Sequence, residues 1–444
     1  MSVSRLCDSP NLRASTKGRW NPGAHGLGNP TQNALPRCQV IYLQSRLREL
    51  ARLHSFTEPL ALWIDTLCIP VHPSLHEYWK KSIKLLATTY RDATYMLVLD
   101  RELQHEPQSK SLLELMIRVQ CCGWLRRLWT LQEASLIPED KIHFQFRDVE
   151  PLRYKELIEV HKSPREGPIE SRIKMYHSIS AQIHERVRPT TRIQSQRNPS
   201  IYIVAVCAAV RFRSTSKAED ETLCMATLLG LPLDKLLSKD KAEDRLGAFY
   251  ILVKYIPSNI IFWQKPCLPQ RPFRWAPTTL NNDLGNNYRG LGAPLQVGEC
   301  QDDGLHVCYD GFFFDLGHCE PTIHGKCILT DTTTGVRLVL RSIASFPPVA
   351  LSPSGEFDYA IPRRAALILN LPILDFQADV QALLVVVEDV GEGDEAECVA
   401  TPVEWLFCST LSAWEGLNYA GKQPLQTEFS FSGKLKERQK WCVT

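Results

Sequence analysis

The chain has 444 residues, of which 44% are hydrophobic and 23% are charged, and its formal net charge is +2. This composition is typical of globular proteins and excludes a largely disordered chain. At roughly 150 residues per domain, the length predicts two or three domains. The balanced charge argues against a large surface for nucleic acid or for an anionic membrane, and we expect neither partner.

The fifteen cysteines indicate a reducing compartment. Their number is odd, they are dispersed, and none forms a Cys-x-x-Cys pair. Such usage is typical of free thiols. The apolar run at residues 201–210 is too short to cross a bilayer, and no apolar segment of signal-peptide length follows Arg5. We therefore expect a cytoplasmic protein without a transmembrane segment.

The chain divides by pattern into four regions. Residues 1–36 are rich in proline and glycine and predict irregular structure. Residues 37–150 alternate predicted helices with predicted strands. Residues 151–280 are mainly helical in pattern, and residues 281–444 contain short β-prone runs separated by turns. We expect an α/β domain, then a helical segment, then a largely β C-terminal region.

Within the α/β domain, two apolar runs end in an acid. The run at residues 60–64 stops at Asp65, and the run at residues 95–99 stops at Asp100. Each predicts a buried strand, and a helix over residues 77–90 is predicted between them. This alternation predicts a doubly wound parallel sheet of the flavodoxin type, with Asp65 and Asp100 at the same edge. Ligands bind at that edge of open α/β sheets.

Three segments resemble the fungal heterokaryon-incompatibility (HET) domain in content and order. They are Leu62-Trp-Ile-Asp-Thr-Leu-Cys-Ile-Pro70, Tyr90-Arg-Asp-Ala93 and Arg127-Leu-Trp-Thr-Leu-Gln-Glu133. The residues that carry the resemblance are Trp63, Ile64, Asp65, Cys68, Tyr90, Ala93, Arg127, Trp129, Gln132 and Glu133.

Other segments extend the resemblance or depart from it. Gly26-Leu-Gly-Asn-Pro30 with Asn33-Ala-Leu-Pro36 looks like a lead-in of one subgroup, and residues 213–216, 220–224 and 273–277 look like segments that accompany the domain there. The chain departs from the family at residues 14–22, where the usual opening strand is missing or rewritten.

The resemblance implies a function in fungal non-self recognition or related cell-death signalling, with the α/β domain as effector. HET domains look like relatives of TIR domains, in which NAD cleavage depends on a glutamate four residues after a tryptophan. Trp129 and Glu133 have that spacing. By this analogy NAD is a substrate rather than a cofactor, and Glu133 and Asp65 are the candidate catalytic acids. Protein partners or self-association are expected in either case.

A second hypothesis is a catalytically inactive relative that acts as an interaction scaffold. In that case Glu133 pairs with Arg126, with Arg127 or with a helix N-terminus, and Trp129 packs in the core. Asp65 then caps the loop that follows it, and Trp63 packs within its strand. In both hypotheses Cys68 is expected to be a buried small side chain.

We expect no metal site. Cys300, His306, Cys308, His318, Cys319, His324 and Cys327 match no compact zinc motif. The chain also lacks the glycine-rich phosphate loops of dehydrogenases and ATPases and the Gly-x-Ser-x-Gly segment of α/β-hydrolases.

Overall fold

The computed structural model divides into two compact units. The first unit comprises residues 1–242 and 280–284, and the second comprises residues 243–279 and 285–444. The residues that the structure describes are 24–25, 34–56, 61–105, 111–147, 149–158, 178–184, 187, 203, 206–207, 209–210, 213–280, 296–317, 321–324, 326–342, 358–370, 380–390, 396–411 and 429–444. The opening segment at residues 14–22 and the glycines at residues 26–28 lie outside this part of the chain.

The first unit contains ten labelled helices and five strands in its described residues. The helices are α1 (Arg37–Leu53), α2 (Asp65–Cys68), α3 (His76–Asp92), α4 (Arg101–His105), α5 (Leu112–Cys121), α6 (Gly123–Arg126), α7 (Thr130–Leu136), α8 (Tyr154–Ile158), α9 (Asp220–Leu229) and α10 (Leu233–Leu237). The strands are β1 (Ala24–His25), β2 (Ala34–Leu35), β3 (Met96–Leu99), β4 (Ile142–Gln145) and β5 (Leu152–Arg153).

Helix α3 forms where its pattern predicts, because its apolar residues recur at helical spacing. Ile83, Leu86 and Tyr90 are buried on one face, whereas Tyr78 on another face is exposed. Helix α9 ends at Gly230, whose φ of 69° is the left-handed conformation that commonly closes a helix. Both helices position residues of the candidate site described below.

The strand β3 is buried on both of its faces. Leu97 and Leu99 pack in one core with Ile64, and Met96 and Val98 pack in another. β3 pairs with β4 in parallel, and β4 pairs with β5 antiparallel. Helices therefore cover a small mixed sheet, and the expected α/β class is confirmed. The finer expectation of a flavodoxin-like doubly wound sheet stays a prediction.

The strand predicted before Asp65 is wrong for the residues that the structure describes. Residues 61–64 form no regular secondary structure and pair with no described strand. The carbonyl oxygen of Ile64 instead accepts hydrogen bonds from the backbone N–H groups of Leu67 and Cys68, at 3.1 and 2.9 Å. Those bonds begin the helical turn α2, so Asp65 lies in a helix rather than at the end of a strand.

The second unit is built on one nine-stranded sheet. Its labelled helix is α11 (Ala242–Val253), whose first residue belongs to the first unit. The nine strands of the sheet are β6 (Tyr255–Pro257), β7 (Val297–Gln301), β8 (Gly304–Phe314), β10 (Lys326–Asp331), β11 (Arg337–Ser342), β13 (Ala365–Leu369), β14 (Val380–Val390), β15 (Cys398–Thr410) and β16 (Phe429–Val443). Two further strands, β9 (Thr322–His324) and β12 (Asp358–Ala360), pair with each other.

Seven strands of this sheet form a closed ring of pairings. The order around the ring is β8, β13, β14, β15, β11, β10 and β16, and β16 returns to β8. Alternate residues of these strands pack into one core, as in Ala365, Leu367 and Leu369. This alternation is the two-residue period of strands with one face inside.

Among the described helices of the chain, none has the length and apolar character needed to cross a membrane.

Candidate functional site

A cleft of about 580 Å³ opens in the first unit beside the C-terminal end of α3. We call it the aromatic cleft. Its volume and mainly apolar lining are typical of ligand-binding sites. The residues that line it are Leu47, Leu50, Ala51, Phe56, Ala61, Leu62, Trp63, Thr89, Tyr90, Asp92, Ala93, Thr94, Tyr95, Met96, Leu97 and Ile137.

Three of the HET-like motif residues line this cleft, namely Trp63, Tyr90 and Ala93. The rings of Trp63 and Tyr90 meet edge to face, with centroids 5.5 Å apart. Trp63 is half-buried, so it is a wall of the cleft rather than a core residue within a strand. The first and second motif segments therefore converge at one surface.

Tyr90 connects the cleft to the acidic residues of the motif. Burial raises the pKa of Tyr90 well above its usual range, and the negative charges of Glu133 and Asp65 raise it further. The guanidinium of Arg127 opposes this shift. The Tyr90 hydroxyl is therefore neutral at ordinary pH and retains a proton that it can donate to a ligand.

Glu133 itself lies in the interior. It is 2% exposed, it is not among the residues that line the cleft, and its Oε2 accepts a hydrogen bond from the Trp124 indole N–H at 3.0 Å. Arg126, which we considered as a partner of Glu133, instead pairs with Glu102 at 3.0 Å. The carboxylate is thus held by a buried aromatic donor, whereas Arg126, the last residue of α6, is exposed and pairs elsewhere.

The same tryptophan also holds Asp100, the acid at the end of β3. The backbone N–H of Trp124 donates to Oδ2 of Asp100 at 2.7 Å, and the backbone N–H of Glu102 donates to Oδ1 at 3.0 Å. Burial, followed by the neighbouring Glu102 carboxyl, raises the pKa of Asp100 to about 6. Asp100 is 2% exposed, so its role in this structure is to position the start of α6.

Residues 213–224 hold the third motif segment in place. The backbones of Leu128 and Ser214 bond at 2.9 Å, and Arg213 donates to the carbonyl oxygen of Arg127 at 2.9 Å. The indole N–H of Trp129 donates to Asp220 at 2.7 Å, and the Gln132 amide donates to the carbonyl oxygen of Cys224 at 3.1 Å. Residues 213–216 and 220–224 are therefore direct structural partners of the third motif segment. Trp129 is half-buried rather than a core aromatic.

Asp65 and Cys68 occupy the two ends of α2. Oδ1 of Asp65 accepts hydrogen bonds from the backbone N–H of Thr66 at 2.6 Å and from the Thr66 hydroxyl at 3.1 Å. Both bonds join Asp65 to the residue that directly follows it, and the N-cap position of α2 is Ile64 rather than Asp65. The expectation that Cys68 is buried is wrong, because Leu67 packs on the core and the next residue around the turn faces solvent.

A second aromatic group beside the cleft was not predicted from the sequence. His54 stacks on Tyr95 with ring centroids 4.1 Å apart, and its Nε2 lies 3.1 Å from Nε2 of His143. Burial lowers the pKa of both histidines, so both imidazoles are neutral at pH 7. The residues that form this pair lie far apart in the sequence, and no spacing links them. The only signal in the sequence was that His54 recurs at helical spacing with Leu47 and Leu50, which indicates the same helix face.

These observations define a site in which three motif residues face a cleft and Glu133 supports it from the interior. Comparison of the chain with protein-family models, with curated proteins and with solved structures found no match.

Proposed function

We propose that this chain is a HET-domain protein of fungal non-self recognition or related cell-death signalling, and that its first unit acts as an interaction scaffold. The role in non-self recognition or cell-death signalling is proposed because the three motif segments resemble the HET domain. The scaffold role is supported by one observation above all: Glu133 is buried, bonded to the Trp124 indole, and not among the residues lining the cleft.

The chemistry of the cleft also supports binding of an apolar group rather than of NAD. None of the described residues that line the cleft is lysine or arginine, whereas Asp92 contributes a carboxylate. The cleft adjoins the C-terminal end of α3, which carries the negative end of the helix dipole. A pyrophosphate is disfavoured there, and an apolar side chain of a protein partner is favoured.

The partner in this proposal is a protein segment that inserts an apolar side chain between Trp63 and Tyr95. Aromatic residues in such pockets commonly contribute most of the binding free energy of an interface. Trp63 is half-buried in the free protein, so its ring has surface left to bury on binding. Self-association of the chain is also compatible with this proposal, with a second copy supplying the apolar side chain.

The test is toxicity on expression in a fungal host, together with the sedimentation of the purified protein. Trp63→Ala should abolish toxicity and association while leaving circular dichroism unchanged. The matched control is Tyr78→Ala, because Tyr78 lies on α3 but is 63% exposed. Retained toxicity in Trp63→Ala, or equal loss in the Tyr78 control, contradicts a role for the cleft.

NAD cleavage is the second candidate, and the charges around Tyr90 favour it. The negative charges of Glu133 and Asp65 both raise the pKa of Tyr90, which lines the cleft. If α7 shifted so that Glu133 reached the cleft beside Tyr90, its carboxylate would lie next to a ribose bound there. The discriminating assay is NAD consumption at high protein concentration by the wild type and by Glu133→Gln.

Glutamine is the informative substitution because its amide oxygen still accepts the hydrogen bond of Trp124. Turnover in the wild type that disappears in Glu133→Gln would establish an enzyme and overturn the scaffold proposal. No turnover in either folded protein supports the scaffold.

A further inference from the structure

The second unit brings three different metal-ligating side chains together at one end of its sheet. A two-residue turn joins β7 to β8 and carries Asp303, while His306 follows on β8. Cys442 on β16 lies directly opposite His306 in the antiparallel pairing. Directly opposed residues point to the same face of a sheet, with Cβ atoms about 5 Å apart. The register therefore places imidazole and thiol side by side, and the turn adds a carboxylate.

The ligand atoms of these side chains already lie close together. One oxygen of Asp303, one ring nitrogen of His306 and Sγ of Cys442 are all within 4.8 Å of one another. In a tetrahedral zinc site the metal–ligand bonds of about 2.0 to 2.3 Å place neighbouring ligand atoms about 3.3 to 3.8 Å apart. A closing movement of about 1 Å would reach that geometry.

The imidazole ring of His306 has the hydrogen-bonding arrangement of a metal-binding histidine. Its Nε2 lies 2.9 Å from Oδ1 of Asp303, and its Nδ1 lies 2.8 Å from Oε1 of Glu397. Histidines that bind metals in proteins almost always donate their second ring N–H to a carboxylate or carbonyl, which fixes the ring. Glu397 has the position of that outer partner, which leaves Nε2 directed at Asp303 and the metal position.

The backbone is packed to bring the turn against Cys442. A Cβ atom added at Gly304 would lie 2.6 Å from the carbonyl oxygen of Val443 and 3.0 Å from Sγ of Cys442. Only glycine allows the turn to approach the last strand so closely. Cys442 is 3% exposed and Asp303 is exposed, so the cluster has a buried thiol and an open side.

We propose that Asp303, His306 and Cys442 bind a divalent metal ion of the zinc class, with Glu397 orienting His306. A mixed set of thiolate, imidazole and carboxylate suits zinc, and three protein ligands leave one position for water. On binding, the metal replaces the proton of the Cys442 thiol and the proton on Nε2 of His306. The sequence predicted no metal site, and the cysteines and histidines considered there include only His306 of these three ligands.

The competing explanation is that His306 is only a protonated link between two carboxylates. The test is titration of the chelator-treated full-length protein with Co²⁺, which gives a near-ultraviolet thiolate-to-cobalt absorption only when a cysteine coordinates the ion. We expect this band in the wild type and its displacement by Zn²⁺. Cys442→Ser and His306→Ala should abolish the band, and Glu397→Gln should weaken Co²⁺ binding about 10- to 100-fold.

Two controls lie on the same strands. Cys308→Ser removes an exposed thiol of β8, and Glu299→Gln changes the residue opposite His306 on β7. Both variants should keep the band. Absence of the band in the wild type, or its survival in Cys442→Ser, would overturn the proposal, as would its loss in Cys308→Ser.

Cys442 is buried, so its substitution carries a risk to folding that circular dichroism will reveal. In that event Asp303→Asn decides the matter, because Asp303 is exposed and its substitution is compatible with the fold. A loss of Co²⁺ affinity of about tenfold or more supports coordination. Unchanged affinity in the folded Asp303→Asn protein contradicts it.

Discussion

The indole N–H of Trp124 donates a hydrogen bond to Oε2 of Glu133 at 3.0 Å, and each residue is 2% exposed. Trp124 stands just before the break between α6 and α7, and Glu133 stands in the middle of α7. The bond therefore ties two short helices whose lengths are too small for independent stability. It also explains why an acid of the HET-like motif lies inside the first unit.

We expect Trp124→Phe to lower the free energy of unfolding by about 1.5 to 3 kcal/mol, since it removes a donor from a buried carboxylate. Chemical denaturation of Trp124→Phe, Glu133→Gln and the double variant gives the coupling free energy. A hydrogen-bonded pair should couple by about 0.5 kcal/mol or more. Additive effects of the two substitutions would show that the bond contributes nothing.

The contact between Trp129 and Asp220 should contribute to stability through both residues. The indole N–H donates to Oδ2 of Asp220 at 2.7 Å, and Asp220 also lies in the first turn of α9, where a negative charge is favourable. We expect Asp220→Ala to lower the free energy of unfolding by about 1 to 2 kcal/mol. Urea denaturation measures this difference.

Asp220→Asn is the matched control, because it keeps an acceptor for the indole and loses only the charge. It should cost about 0.3 to 1 kcal/mol, the usual contribution of an acid at a helix N-terminus. Equal losses in the two variants would mean that the hydrogen bond is not the source of the effect.

The helices of the α/β domain could be predicted from the sequence because their apolar residues follow a regular period. The helix predicted over residues 77–90 is found as His76–Asp92, and the strand predicted at residues 95–99 is found as Met96–Leu99. The run at residues 60–64 has the same apolar character, but the backbone of Ile64 bonds to the following turn. Periodicity predicts burial of such a run and cannot tell which hydrogen-bond partner its backbone will find.

The contacts of the candidate site were less predictable because they join distant residues. Trp63 and Tyr90 were identified through the resemblance, and the structure adds that their rings meet at a cleft. The partners Asp220 and His143 come from other segments and carry no periodic signal. Such pairs depend on tertiary packing, which a single sequence does not encode in its spacing.

Asp100 should make stability fall as pH rises through about 6. Its pKa is raised from 3.8 to about 6 in the folded protein, so between these values the folded state binds more protons than the unfolded state. Its contribution is complete below pH 3.8 and is lost above pH 6, with an upper limit of about 3 kcal/mol. The pKa of Glu102 is lowered, mainly by its hydrogen bond with Asp100, and its opposite contribution lies below pH 4.5.

Asp100→Asn separates these contributions. The amide oxygen can still accept from Trp124, and the amide group no longer titrates. The difference in unfolding free energy between wild type and Asp100→Asn, measured from pH 5 to pH 7, should shift in favour of the variant as pH rises. A difference that does not depend on pH would contradict a raised pKa of Asp100, because Glu102, the group bonded to Asp100, contributes below pH 4.5 and the groups that do not interact with Asp100 cancel in this comparison.

His54 and His143 should make the protein less stable as pH falls. Nδ1 of His143 lies 3.2 Å from the carbonyl oxygen of Lys141, so this nitrogen carries the proton and Nε2 is the acceptor. His54 must then donate from its own Nε2 across the 3.1 Å contact. A second proton on His143 would place two N–H groups against each other and break the bond.

The pKa of each histidine is lowered from 6.5, mainly by burial, so the stability they provide is present above pH 6.5 and is lost as pH falls below it. We expect His143→Gln, whose amide can still bond to His54, to show a weaker acid dependence than the wild type. Nuclear magnetic resonance titration of the ring protons should find both histidines titrating below pH 6.5. Titration of either ring above 6.5 would mean that a charged imidazole is tolerated beside Tyr95, and the neutral pair assigned here would be wrong.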